Sequence, residues 1–186
     1  MASNWWTHSS ISWQALCSSM LLIDSHDTPR FRTIVGGNIN KHLAGMVFLL
    51  TYPGVPSIFM GDEIGLEGKS GEDSRRTINW DDRTSWDYDF FEKVKQLINL
   101  RKNHDALING GMRWVNVGQD HLLYLRESKI KSLLVLVTRT GISLDIDISA
   151  FGYRISDTLF GYKSGSSRLK LKTSDATAGV WELEAI

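Results

Sequence analysis

The 186-residue chain carries 21 lysine and arginine residues against 21 aspartate and glutamate, a formal net charge of zero. That balance offers no field to steer a nucleic acid or an anionic membrane surface. One cysteine, Cys17, can make no internal disulfide, no apolar run approaches the roughly eighteen residues of a membrane span, and no lysine or arginine precedes Arg30, so a cytoplasmic location is expected.

The first two dozen residues place Trp5, Trp6 and Trp13 among serines and threonines and read as the end of a helix and its loop. Met20-Leu21-Leu22-Ile23-Asp24 then reads as a strand ending in an acid, followed by the polar tip Ser25-His26-Asp27-Thr28-Pro29-Arg30. From Asn40, Leu43, Met46, Val47 and Leu50 recur at helical spacing until Pro53 removes a donor and Gly54 permits a turn. A second apolar run, Pro56-Ser57-Ile58-Phe59-Met60, enters Gly61-Asp62-Glu63-Ile64-Gly65. The two runs lie roughly thirty residues apart with a helix between, about one βαβ unit. Gly65, Gly68 and Gly71 mark an exposed loop with unusual dihedrals.

Asp87 to Asn103 is the clearest helix, with Phe90, Phe91, Val94, Leu97 and Ile98 as its apolar stripe and Asp87 as N-cap. Past Gly110-Gly111 the period changes to two, most plainly in Leu144–Ile148, Leu169–Lys172 and Trp181–Glu184. With Leu122–Arg126 and Ser132–Thr138, about five or six short strands predict an antiparallel sandwich. The expected division is an α/β part over 1–110 and an all-β part over 111–186.

Three ordered motifs carry a specific resemblance. Ser25-His26-Asp27-Thr28-Pro29-Arg30, then Thr51-Tyr52-Pro53-Gly54-Val55-Pro56 with Gly61-Asp62-Glu63-Ile64-Gly65, then Asp73-Ser74-Arg75-Arg76 before Trp80 resemble strand seven, strand eight and the loop after it in the α-amylase superfamily. The version is that of neopullulanases, cyclomaltodextrinases and maltogenic amylases. The resemblance implies the last strands and helices of a (β/α)8 TIM barrel followed by a C-terminal antiparallel β-sandwich domain. A whole barrel takes roughly 250 residues, so the α/β part corresponds to about its last quarter.

The same resemblance implies a glycoside hydrolase acting on α-glucans or maltooligosaccharides. Its nucleophilic aspartate and acid/base glutamate belong to strands four and five, which would precede Met1. Activity of the chain alone is therefore not expected, and the missing barrel segment, as a separate chain, is a candidate partner. By resemblance Asp27 is the catalytic carboxylate that stabilises the transition state, and His26 and Arg75 bind substrate. A third carboxylate of this kind grips the sugar more tightly as the ring flattens, which lowers the barrier by differential binding. The family arginine often stands beside an aspartate four residues earlier, and here that position is Gly71.

Plainer readings stand beside these. Asp27 can close a turn ahead of Pro29 by bonding its own backbone, and His26 can be satisfied locally. The resemblance implies a mainly architectural role for Asp62 and Glu63, at the tip of the second strand, while Arg75 can be a solvated loop arginine, and Trp80 and Trp86 read as core anchors for the last helix more readily than as sugar-stacking platforms. No cofactor or metal is expected, because the histidines offer no His-x-His or His-x-x-x-His pair. Rival readings are a carbohydrate-binding β module after Gly110 and a structural or decayed remnant.

Overall fold

The computed structural model describes residues 11–186; Trp5 and Trp6 lie outside the described residues. In chain order the first part contains α1 (Trp13–Cys17), β1 (Met20–Leu21), α2 (Phe31–Ile34), α3 (Ile39–Thr51), β2 (Val55–Pro56), a 3-10 turn at Asp62–Ile64, α4 (Gly71–Ser74), α5 (Tyr88–Asn103) and α6 (Asp105–Ile108). The second part contains β3 (Gly111–Val117), β4 (His121–Glu127), β5 (Ser132–Thr138), β6 (Ser143–Asp147), β7 (Tyr153–Phe160), β8 (Arg168–Lys172) and β9 (Ala178–Ala185).

Helix α3 starts where the Asn38 side chain accepts from the Lys41 amide at 2.8 Å. It stops at Tyr52, which is extended because Pro53 follows it. Its last carbonyls meet two cations. Arg101 donates to the Leu50 and Tyr52 carbonyls at 3.1 and 2.9 Å, and Arg126 donates to Thr51. Positive charge at a helix carboxyl terminus opposes the macrodipole and satisfies carbonyls that have no intrahelical partner. Burial, then the neighbouring Arg101, pulls the Arg126 pKa down to about 10, so it remains charged at neutral pH.

The two apolar runs form a parallel pair, with Met20 opposite Val55 and Leu21 opposite Pro56. Both strands are shorter than the expected Met20–Asp24 and Pro56–Met60. Each has a ladder partner on one side only, and beyond Leu21 the chain bends until Asp24 Oδ2 accepts from the Phe31 amide at 2.6 Å. The tight crossing also explains Gly54, where a Cβ would lie 2.7 Å from the Leu21 side chain.

The expected helix at Asp87 is present, its cap oxygen accepting from the Phe90 amide at 3.1 Å. Phe90, Val94 and Leu97 are buried, whereas Phe91 is only half-buried.

Five strands form an antiparallel sheet in the order β3-β4-β5-β9-β7, and β6 pairs with β8 in a second. Every residue of β5 is buried, because both faces of its sheet are covered. On one face Leu133, Val135 and Val137 join Tyr124 and Val180 against residues of α3 and α5. On the other, Leu134 and Leu136 join Trp181 and Leu183 against Leu144, Leu169 and Leu171 of the β6–β8 pair. The sandwich is therefore also the floor under the helices. Strands β3 and β7, absent from the sequence reading, each carry register shifts, between Trp114 and Asn116 and at Ile155/Asp157 and Thr158/Phe160. Bulges of this kind break the alternation that marks a strand. Among the described residues no helix is long and apolar enough to cross a membrane.

Candidate functional site

The polar tip after β1 is a turn closed by its own hydroxyls. The Ser25 amide donates to Thr28 Oγ1 at 3.0 Å, and the Asp27 amide donates to Ser25 Oγ at 3.2 Å. Serine and threonine thus do the work that an Asx turn would have assigned to Asp27. The Asp27 carboxylate is left free to face outward. Its Oδ1 accepts from Arg75 Nη2 at 3.1 Å, and its Oδ2 lies 3.3 Å from His26 Nε2. Arg75 Nε also donates to the His26 carbonyl at 3.2 Å.

His26, Asp27 and Arg75 therefore converge on one polar cluster, their side chains 63, 66 and 53% exposed. Arg75 is ion-paired rather than merely solvated. Gly71 lies against this cluster, and a Cβ there would sit 3.1 Å from the Asp27 carbonyl group. A side chain at that position would require the Asp27 backbone to give by a few tenths of an ångström, and Arg75 takes Asp27 itself as its carboxylate partner. Neither Gly68 nor Gly71 has positive φ; the left-handed residues of this region are Gly61 and Gly65. Gly68 is small for a steric reason, since a Cβ would stand 2.8 Å from Ser74. The expectation of unusual dihedrals holds at Gly65 only.

Beneath the cluster, Arg30 fastens the two loops together. It is 1% exposed and donates to Asp62 Oδ1 at 3.0 Å and twice to the Ser74 carbonyl, at 3.2 and 2.9 Å. Its guanidinium lies 3.8 Å from the Phe59 ring centroid. Asp62 occupies a 3-10 turn rather than a strand tip, and Glu63 Oε2 accepts from the Gly61 amide at 2.8 Å. The Asp62 carboxylate is thus engaged with Arg30 and the Glu63 carboxylate with a backbone amide. Burial, then the neighbouring Asp24 carboxyl, pushes the Asp62 pKa up to about 8 against the pull of Arg30.

A second polar chain lies alongside: Arg32 donates to His42 Nδ1 at 3.0 Å and to Asp87 Oδ2 at 3.1 Å. Burial, then Arg32, holds the His42 pKa at about 3, so its ring is neutral.

Trp80 departs from its expected role as a core anchor: it is 59% exposed and meets the half-buried Trp86 edge-on at 5.7 Å. Among the described residues no three His, Cys, Asp or Glu side chains gather as metal ligands would.

Comparison with known proteins bears on the family and the fold. Residues 4–88 match the model described as "Alpha amylase, catalytic domain". This part of the chain belongs to the α-amylase family. Relatives include a cyclomaltodextrinase of Geobacillus thermopakistaniensis, 34% identical over 67% of this chain and 21% of the relative, and neopullulanase 2 of Thermoactinomyces vulgaris, 40% identical over 55% of this chain and 17% of the relative. Among solved structures, a cyclomaltodextrinase superposes with a TM-score of 0.79 at 28% identity, covering 92% of this chain and 30% of the other. The native form of the Nostoc punctiforme debranching enzyme gives 0.78 at 27%, covering 91% and 36%. The chain thus spans about a fifth of the length of its curated relatives. Its fold is part of a (β/α)8 barrel followed by an antiparallel β-sandwich.

Arg30 and Asp24 had no assigned role in the sequence reading, although both lie within or beside the first motif. The available signal was a pair of charged residues flanking an exposed turn at a spacing that returns both toward the core.

Proposed function

We propose that this chain is the carboxyl-terminal portion of a glycoside hydrolase that cleaves α-glucosidic bonds in starch-type oligosaccharides. The proposed division places the barrel part in 1–110 and the sandwich domain in 111–186. Asp27 is the transition-state-stabilising carboxylate, and His26 and Arg75 bind substrate. One observation carries this reading: the Asp27 carboxylate is released from its own turn by Ser25 and Thr28 and is framed at 3.1–3.3 Å by Arg75 and His26. A carboxylate held in that way can accept hydrogen bonds from sugar hydroxyls, and an imidazole beside it can donate one. The relatives named cyclomaltodextrinase and neopullulanase support an α-glucan as substrate.

Retaining hydrolysis needs two carboxyl groups roughly 5 to 5.5 Å apart, one to attack the anomeric carbon and one to protonate the leaving oxygen. That couple is assigned to the preceding barrel segment, in the same polypeptide or in a separate chain. The 186 residues alone are then inactive.

The test is reconstitution. Co-expressing the chain with the preceding barrel segment of a cyclomaltodextrinase is expected to restore cyclomaltodextrin cleavage, and Asp27→Asn to lower turnover by about 10²–10³-fold, the range for removing one preorganised electrostatic group. Cleavage that survives Asp27→Asn, or turnover by the unaccompanied chain, overturns the assignment.

A further inference from the structure

The support under the site holds more negative than positive charge. Asp24 and Asp62 are 3 and 1% exposed, and Arg30, the cation bonded to Asp62, is 1% exposed. Asp24 spends Oδ2 on the Phe31 amide, and Asp62 spends Oδ1 on Arg30. The remaining oxygens, Asp24 Oδ1 and Asp62 Oδ2, are both buried and without a hydrogen-bond partner among the described residues, and Asp24 is near enough to raise the Asp62 pKa. Two anionic oxygens do not stand facing in a dry site, because neither has water or a donor to offset the repulsion. One proton between them satisfies both atoms at once.

The cluster reaches the site in two steps on each side. Arg30 grips the Ser74 carbonyl with two nitrogens, and Ser74 adjoins Arg75. Ser74 Oγ donates to the Thr28 carbonyl at 2.8 Å, and Thr28 adjoins Asp27. We propose that Asp24 and Asp62 share one proton, and that this protonated pair acts through Arg30 and Ser74 as the positioning unit that holds Arg75 against Asp27.

Release of the proton to solvent leaves two buried carboxylates competing for one guanidinium. Arg30 is then drawn toward Asp24 and away from the Ser74 carbonyl, which loosens α4 and the Arg75–Asp27 pair. The upward shift of Asp62 agrees with a proton retained at neutral pH, with its cause in burial first and Asp24 second. Other charged groups nearby are already engaged: Glu63 with the Gly61 amide, and Arg32 with both Asp87 and His42. The functional meaning of the unit rests on the reading of Asp27 given above; its proton and its mechanical coupling do not.

The experiment follows the Arg75 δ-CH2 and His26 ε1-CH resonances of the 186-residue chain from pH 5 to 10, both carbon-bound and visible in alkali. In the wild type both are expected to show an inflection near pH 8. Asp62→Asn supplies an amide donor in place of the shared proton, so the inflection should vanish and the neutral-pH positions persist to pH 10. Asp24→Asn should do the same from the other side, and decides the matter if the first variant does not fold. Arg30→Lys cannot bond Asp62 and Ser74 in the same geometry, and should displace both resonances at every pH. An alkaline inflection that persists in either asparagine variant, or a wild type without one, overturns the proposal. No saccharide enters this measurement, so a clear inflection beside failed reconstitution would remove only the hydrolase reading.

Discussion

At the scale of single residues, exposure separates what a side chain does for stability from what it does for chemistry. The Arg75–Asp27 pair is more than half exposed at both ends, so water screens it and it contributes less than about 1 kcal/mol to folding. Arg75→Ala should leave urea unfolding within that margin while weakening saccharide binding in the reconstituted enzyme; a large loss of stability would show that the pair is structural. The buried groups behave oppositely. His42, held at about 3, binds a proton in the unfolded chain from pH 6.5 downward but not in the folded one, so its contribution is present above 6.5 and lost as pH falls toward 3. Asp62, raised to about 8, binds its proton in the folded chain and not in the unfolded one, so stability is lost as pH rises from about 4 through 8. Each is worth about 1.4 kcal/mol per pH unit within its window. The two oppose one another between about 4 and 6.5, so the wild type should be nearly level there and fall from 6.5 to 8. Chemical unfolding across that range checks the sign: Asp62→Asn should remove the fall, and a wild type that gains stability from 6.5 to 8 would contradict the Asp62 assignment.

At the scale of elements, legibility followed periodicity. Helix α5 and its Asp87 cap were plain because sixteen residues give several repeats of the apolar stripe, and β5 matched the expected Ser132–Thr138 at both ends. Strands β3 and β7 escaped because bulges shift the alternation within a few residues, and Asp62 read as a strand tip because a 3-10 turn leaves no periodic trace. The convergence of His26, Asp27 and Arg75 came from ordered motifs rather than from period or composition. What no local pattern reveals is a contact such as Arg126, 1% exposed, joining the Thr51 carbonyl at the end of one helix to the Leu107 and Gly110 carbonyls at the end of another. Removing it leaves those acceptors buried and unpaired. Arg126→Met is expected to cost about 3–5 kcal/mol by chemical denaturation, in the range for breaking a buried charged network; a change below 1 kcal/mol would mean that water reaches the carbonyls.

At the scale of the whole molecule, the pair β1–β2 has no further strand on either side among the described residues. Met20, Leu22, Val55 and Met60 around it are 46–66% exposed. Open edges flanked by apolar side chains invite pairing with another chain. The purified chain should therefore self-associate with rising concentration and bind an apolar dye, and the preceding barrel segment should suppress both; light scattering that stays monomeric at high concentration would argue that these edges are protected. The other end of the molecule presents the reverse situation. Because β5 is covered on both sides, the five-stranded sheet serves as a party wall, and the helices above it and the β6–β8 pair below it were fitted to the same surface. Recombination between relatives at the Gly110 junction would graft a wall onto foreign helices, so viable hybrids should inherit α3, α5 and the sheet together as one heritable block.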